Sequence, residues 1–481
     1  MSRSLSLLCG FFLFASLQGQ SNVWSLERAV DYATSNNLQV SQVRNQSLLA
    51  QLDLKQNKLS RLPNVNASSN LGYQLGRTID PTSNAFVQQN ILFNTFQIQG
   101  NITLFNGSFI NNSIKQSALD AQSADLNLTA ISNDIGLQVA TAYLNVLLVR
   151  EQYSNAVTQL ALIDGQLSQT DALIESGAAA PAQRFDLVAQ QASAQRSAVE
   201  LENQVDNSLL TLQQILQLDY DPNFEIVVPE IELNQVDLSR SYSFNEVFES
   251  ASLTQPDLRI ADLNKQSAEL GINLAKAGFS PTVTFFGSLS SNFSDVARDF
   301  ANPDRTNVSV VQTPPVPVLI DGENATLSVF QEVGEVFPNK SYGDQINENF
   351  GQSLGIGLNV PIYSQGRNRL NVQRAELNVK QAEIQAAQAR VDLQNEVQQA
   401  LNGYRTAQAV YQAAEVSLEA AQAAYSQSLR GYELGSANAL DLLTASNRLE
   451  SARIERTRAK YQLIFNQQVI RFYLGDRLSL N

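Results

Sequence analysis

One pattern constrains this chain more than any other. A seven-residue apolar beat runs through Ile135, Val139, Ala142, Val146, Val149, Tyr153, Ala156, Leu160, Ile163 and Leu167, and it returns 258 positions later. The second copy reads Leu393, Val397, Ala400, Tyr404, Ala407, Tyr411, Ala414, Leu418, Ala421 and Tyr425. Steps of four and three alternate, which places one seam of a helix against a partner over many turns. Proline is absent from 108–174 and from 366–432, so each stretch is expected as a single helix. At ~1.5 Å per residue each is roughly 100 Å long. An ordinary globular domain has no place for two such rods, so the chain is expected to be a duplicated, elongated unit.

The residues around the rods repeat as well. An amphipathic helix is expected over 25–61, with Ser25 as its N-cap and Pro63 after its end. The second copy is expected over 244–278, with Pro281 in the matching place. After each rod, Gly177 and Gly435 suit a helix C-cap. Return helices are expected over 182–218 and 438–473. The first repeat is read as 20–219, the linker as 220–241 and the second repeat as 242–481.

Between first helix and rod the apolar period drops from about 3.6 to 2. In 64–76, Val65, Ala67, Leu71 and Tyr73 alternate with Asn64, Asn66, Ser68 and Asn70, which predicts a strand with one apolar and one polar face. Similar strands are expected at 96–104, 282–293 and 350–360, with Phe286 interrupting the polar side of the third. The polar segment 77–95 and the Asn-, Asp- and Pro-rich insert 294–349 are read as loops. Beyond the N-terminus, no apolar run approaches the ~20 residues of a membrane-spanning helix. Strands of this length and alternation suit a bilayer instead. Four cannot close a barrel, and open edges are not tolerated in lipid. Other copies must complete the wall: two would give eight strands and three would give twelve.

The ends and the charge narrow the function. Arg3, the apolar run Leu5 to Leu17 and Gly19 make 1–19 read as a secretory signal. It carries the only cysteine, Cys9, and the chain has no histidine. His- and Cys-based nucleophiles and metal sites are therefore not expected, nor is a cofactor or an enzyme activity. A formal net charge of −14 without Lys/Arg patches argues against nucleic acid as a partner.

In this order and spacing the elements resemble the TolC-type outer membrane efflux proteins. The resemblance rests on the duplicated halves, on Pro63 and Pro281, and on Pro361-Ile362-Tyr363-Ser364-Gln365-Gly366-Arg367 opening the second rod. It rests also on Tyr432-Glu433-Leu434-Gly435 followed by Leu440-Asp441-Leu442-Leu443. It implies a mainly α protein with a membrane β-barrel: a homotrimer with a twelve-stranded barrel in outer membrane lipid above an α-helical periplasmic tunnel. The implied role is the passive exit duct of a tripartite efflux or secretion system of a Gram-negative bacterium, gated at the periplasmic helix tips. The implied partners are a periplasmic adaptor and an inner membrane transporter. A pore-less periplasmic coiled-coil scaffold is the alternative.

The resemblance also places the site residues. Gly177 and Ala178 on one tip, and Tyr432, Leu434, Gly435 and Ser436 on the other, occupy adaptor-docking positions. Asp441 matches an acidic residue that narrows the entrance, although an acidic residue in a first helical turn is also explained by the helix dipole. Thr444 replaces a second acidic residue, and Ala437 stands where some relatives have a gating arginine. Gln183 takes an acidic position in the first half, with Arg184 and Asp186 close by.

Overall fold

The fold is given by a computed structural model, which describes residues 23–79, 84, 86–88, 90–177, 180–229, 240–303, 309–333, 337–434, 436–437 and 439–476. The signal reading at 1–19 falls outside the described residues. Along the first half, β1 is Val23–Trp24, α1 Leu26–Asn36, α2 Leu38–Leu59, β2 Asn64–Gln74, β3 Arg77–Ile79, β4 Phe86–Gln88, β5 Ile91–Phe105, α3 Phe109–Glu175, α4 Ala182–Leu216 and β6 Glu225–Ile226. Along the second, α5 is Phe244–Thr254, α6 Pro256–Ala277, β7 Thr282–Ser294, β8 Ser309–Gln312, β9 Val316–Ile320, β10 Glu323–Leu327, β11 Phe330–Val333, α7 Tyr342–Glu348, β12 Gly351–Asn359, α8 Arg367–Glu433 and α9 Ala439–Leu474.

The duplication holds to the residue. α3 and α8 each have 67 residues and are offset by 258 at both ends. α1 and α5 each have 11, and α2 and α6 each have 22. The first helix of each half, expected as continuous over 25–61 and 244–278, is instead broken at Asn37 and at Gln255. Both break residues are extended, with ψ of 135° and 132°. Gln255 precedes Pro256, whose ring drives the residue before it out of the α region and suits the first turn of the next helix. At Asn37 side chains do the same work: its carboxamide accepts from the Gln39 amide at 2.8 Å, and Gln217 Oε1 accepts from the Leu38 amide at 2.9 Å.

The described residues group into two compact units. The helical unit comprises 23–51, 119–266 and 379–476, and contains a core around each rod, the first of which also takes in Tyr461 and Ile464 of α9. Around α3, Ile135, Val139, Tyr143, Val146 and Leu147 pack with Leu26, Ala29, Leu212 and Leu216. Around α8, Leu393, Val397, Leu401, Tyr404 and Tyr411 pack with Val247, Phe248, Leu463 and Ile470. Every residue of both predicted seams is buried or half-buried. β1 pairs in parallel with β6, and the buried Tyr143 hydroxyl reaches the Val227 and Trp24 carbonyls at 2.6 and 3.0 Å. The expected linker, 220–241, therefore carries a strand at its start. Residues 230–239 lie outside the described set.

The second unit comprises Leu52–Ala118 and Ser267–Asn378. Its centre is an antiparallel sheet in the order β12-β7-β5-β2. β5 begins at Ile91, five residues before the expected 96, because the 11-residue β2 pairs along its full length with it. The segments read as loops contain more structure than expected. β3 and β4 pair within 77–95. Within 294–349, β8 to β11 form nested antiparallel pairs around a turn at Asp321 and Gly322, both at positive φ. Asp-Gly at positive φ is the preferred type I′ hairpin turn. α7 is held by Gln345, whose buried carboxamide accepts from the Ser294 amide at 2.9 Å and donates to the Ser294 and Lys340 carbonyls at 2.9 and 3.0 Å.

Candidate functional site

At the first helix tip, α3 closes through Ser176 and Gly177, whose amides donate to Ala172 and Ile174 carbonyls at 3.1 and 3.0 Å. Gly177 has φ +76°, with open space where a Cβ would stand. The backbone conformation, and not packing, is what calls for glycine there. Ala178 lies outside the described residues. α4 starts at Pro181 with one tight turn: the Gln183 amide donates to Ala180 O at 3.1 Å and the Arg184 amide to Pro181 O at 3.3 Å. Arg184 Nε bonds Asp171 Oδ1 at 2.9 Å, tying α4 back to α3. Gln183 is half-buried and Asp186 is exposed.

The second tip is built on Gly431. Its carbonyl accepts from the Ser436 amide at 2.8 Å, the Ala437 amide at 3.0 Å and the Ser436 hydroxyl at 3.0 Å. A Cβ on Gly431 would stand 3.0 Å from Ala437 Cβ, so the fold-back uses the missing side chain. Gly435 lies outside the described residues. Leu434 is 83% exposed. Asp441 and Thr444 are exposed and one turn apart at the start of α9, where a carboxylate also favours the helix dipole.

The two tips share a neighbourhood in the helical unit. Gln166, Gln169 and Thr170 of α3, Leu187 and Gln190 of α4, Leu429 and Tyr432 of α8, and Leu442 and Leu443 of α9 enclose a cavity of about 30 Å³. The residues after Asp186 and after Asp441 thus line one small space. Tyr432 is half-buried there. Phe185, 71% exposed beside Asp186, is an apolar tip residue that helical periodicity had not singled out.

Sequence reasoning also missed a polar node higher on the rods. Arg456 of α9 bonds Glu415 of α8 at 2.6 Å, and Lys460 lies 3.6 Å from Glu151 of α3. Tyr411 donates to the same Glu415 oxygen at 2.7 Å, and Thr457 donates to Glu151 at 3.3 Å. Arg456 holds the Glu415 carboxyl below its ordinary range, with help from Tyr411. Burial, reinforced by Glu415, pushes the Tyr411 phenol up to about 12. The i,i+4 pairs Tyr411/Glu415 and Arg456/Lys460 were visible, but not the helix each would face.

Paired rods of this length, tight glycine tips and a sheet with one apolar and one uncharged polar face suit an envelope channel subunit. The chain belongs to the outer membrane efflux protein family, whose model matches residues 30–217 and 339–476. It is 24% identical over 328 residues to the outer membrane protein TolC of Vibrio cholerae, covering 67% of this chain and 72% of that relative. The fold is similar to that of VceC from Vibrio cholerae, with a TM-score of 0.72 and 13% identity over 94% of this chain and 96% of that one. It is similar also to the CmeC outer membrane channel of Campylobacter jejuni, with a TM-score of 0.71 and 16% identity over 95% and 86%. The protein is accordingly a non-enzymatic efflux channel of the Gram-negative outer membrane, with its helical part in the periplasm.

Proposed function

We propose that three copies of this chain close their sheets into a twelve-stranded barrel and align their rods into a periplasmic tunnel, forming the passive exit duct of a tripartite efflux or secretion system. The observation that carries this reading is the pair of outermost strands. Among the described residues β2 and β12 each pair along one edge only, and the face bearing Leu71, Leu354 and Ile356 is exposed. Such edges and such a face suit neighbours and lipid, not water. The tips, with Gly177, Ala178, Tyr432, Leu434, Gly435, Ser436 and the exposed Phe185, receive a periplasmic adaptor that couples the duct to an inner membrane transporter. Asp441 forms the acidic constriction. Thr444 and Ala437 remove an acidic and a basic partner there, while Gln183, Arg184 and Asp186 form the first-half side of the entrance.

Planar-bilayer conductance, read together with the mass of the detergent-solubilised protein and disulfide scanning between β2 and β12, tests this reading. The expected result is a conducting trimer cross-linked edge to edge. A monomer with no conductance would return the chain to a pore-less scaffold. In the conducting protein, Asp441→Ala is expected to lower cation preference, because threefold repetition makes the carboxylate a ring. Unchanged selectivity and resting current would leave Asp441 as a helix-capping charge only.

A further inference from the structure

No residue of β2, β5, β7 or β12 is charged. The register lines up rows across the polar face. One row is Asn66, Gln99, Ser288 and Ser353, with the two serine hydroxyls 2.7 Å apart. The adjacent row is Asn64, Asn101, Phe286 and Gly355. Phe286 leans across Gly355, where a Cβ would stand 2.5 Å from the tip of its ring. Even so, 41% of Phe286 remains open. Nearer the loops, Phe93 leans in the same way across Gly72. Phe285, the next residue along and 40% exposed, is on the opposite, apolar face.

Stripping water from an ion is costly unless an opposite charge is fixed beside it, and this wall has no charge to offer. A hydroxyl-rich solute exchanges water for amide and hydroxyl partners at little cost. It also gains where an apolar ring face covers an open aromatic ring. We propose that this sheet is a charge-free wall with a ring-binding station at Phe286, beside Asn101, that takes uncharged ring-bearing polyols in preference to ions. The inference rests on the trimeric-duct reading, which turns the polar face toward the lumen and repeats the station three times.

The test is block of single-channel current by maltotetraose, with benzenesulfonate as the charged ring. Wild-type channels are expected to be blocked by the sugar and not by the anion at equal concentration. Phe286→Ala is expected to weaken sugar block by roughly two- to tenfold, whereas Phe285→Ala leaves it unchanged. Phe286→Leu keeps Gly355 covered without an aromatic ring, so it reads the same loss if the alanine variant does not assemble. Sugar block equal in wild type and Phe286→Leu overturns the proposal, as does equal block by the anion or a loss confined to Phe285→Ala. A protein that neither trimerises nor conducts fails the duct reading first, and is told apart by the absence of any current to block.

Discussion

Arg456→Met isolates the node that ties α3, α8 and α9. The substitution keeps most of the side-chain length and removes the charge. It breaks the 2.6 Å bond to Glu415 and the longer 4.0 Å approach to Glu151. A charge-assisted hydrogen bond contributes about 1.5–3 kcal/mol when well desolvated. Glu415 is 44% exposed, so solvent screens part of its share, while Arg456 is only 28% exposed. The expected net loss is about 1–2 kcal/mol, a roughly five- to thirtyfold rise in local opening. A channel protein with two units does not unfold in one step, so a single melting temperature is a poor readout. Hydrogen exchange by mass spectrometry in detergent reads the loss where it occurs. Peptides around 151, 415 and 456 should exchange faster by that factor, while those from β5 and β7 should not change. The exposed Arg458→Met serves as the control. Glu415 has a lowered folded pKa, so its contribution is complete above the ordinary value of about 4.3 and fades as pH falls through the lowered one. The difference between variant and wild type should accordingly be flat from pH 8 to 5 and shrink in stronger acid. Equal exchange in Arg456→Met, Arg458→Met and wild type would falsify the claim that this node fastens the rods.

Three further outcomes follow from local geometry. Tyr143→Phe leaves the Val227 carbonyl without its 2.6 Å donor and should cost about 1–2 kcal/mol locally, seen as faster exchange of the β1–β6 pair. Gln345→Leu removes three bonds from a residue only 1% exposed, and limited proteolysis should cut near 337–349 faster than in wild type. Glu396 has a raised pKa through burial and the nearby acids Asp257, Asp392 and Asp134, opposed by the Tyr473 hydroxyl. A raised carboxyl destabilises the fold above its folded pKa, and the penalty is relieved as pH falls through that value toward about 4.3. Glu396→Gln should therefore slow exchange in its helix at pH 7 and make no difference below about pH 4.

The long helices were legible because their information is local and repeated. Each seam residue from Ile135 to Leu167 and from Leu393 to Tyr425 is covered to some degree, as a 3.5-residue beat requires. The strands were legible by alternation, and the tips by Gly177 and by the family pattern around Asp441. The break at Gln255 could have been read from Pro256; its counterpart at Asn37 was legible only in part, because Asn37 caps Gln39 locally while the other cap comes from Gln217, 179 positions from Leu38. The Asp321-Gly322 turn inside the insert was legible in principle, since both residues suit positive φ.

Sequence alone determined the duplication, the rods and the two-faced strands, because period and spacing are properties of neighbouring residues. Only the tertiary structure decided which strand flanks which, that Phe286 settles over Gly355, and that Arg456 meets Glu415 on one rod while Lys460 reaches Glu151 on another. Those pairings join residues from about 40 to more than 300 positions apart. Many polar partners on similar helices satisfy the same local rules, and close packing in three dimensions selects among them.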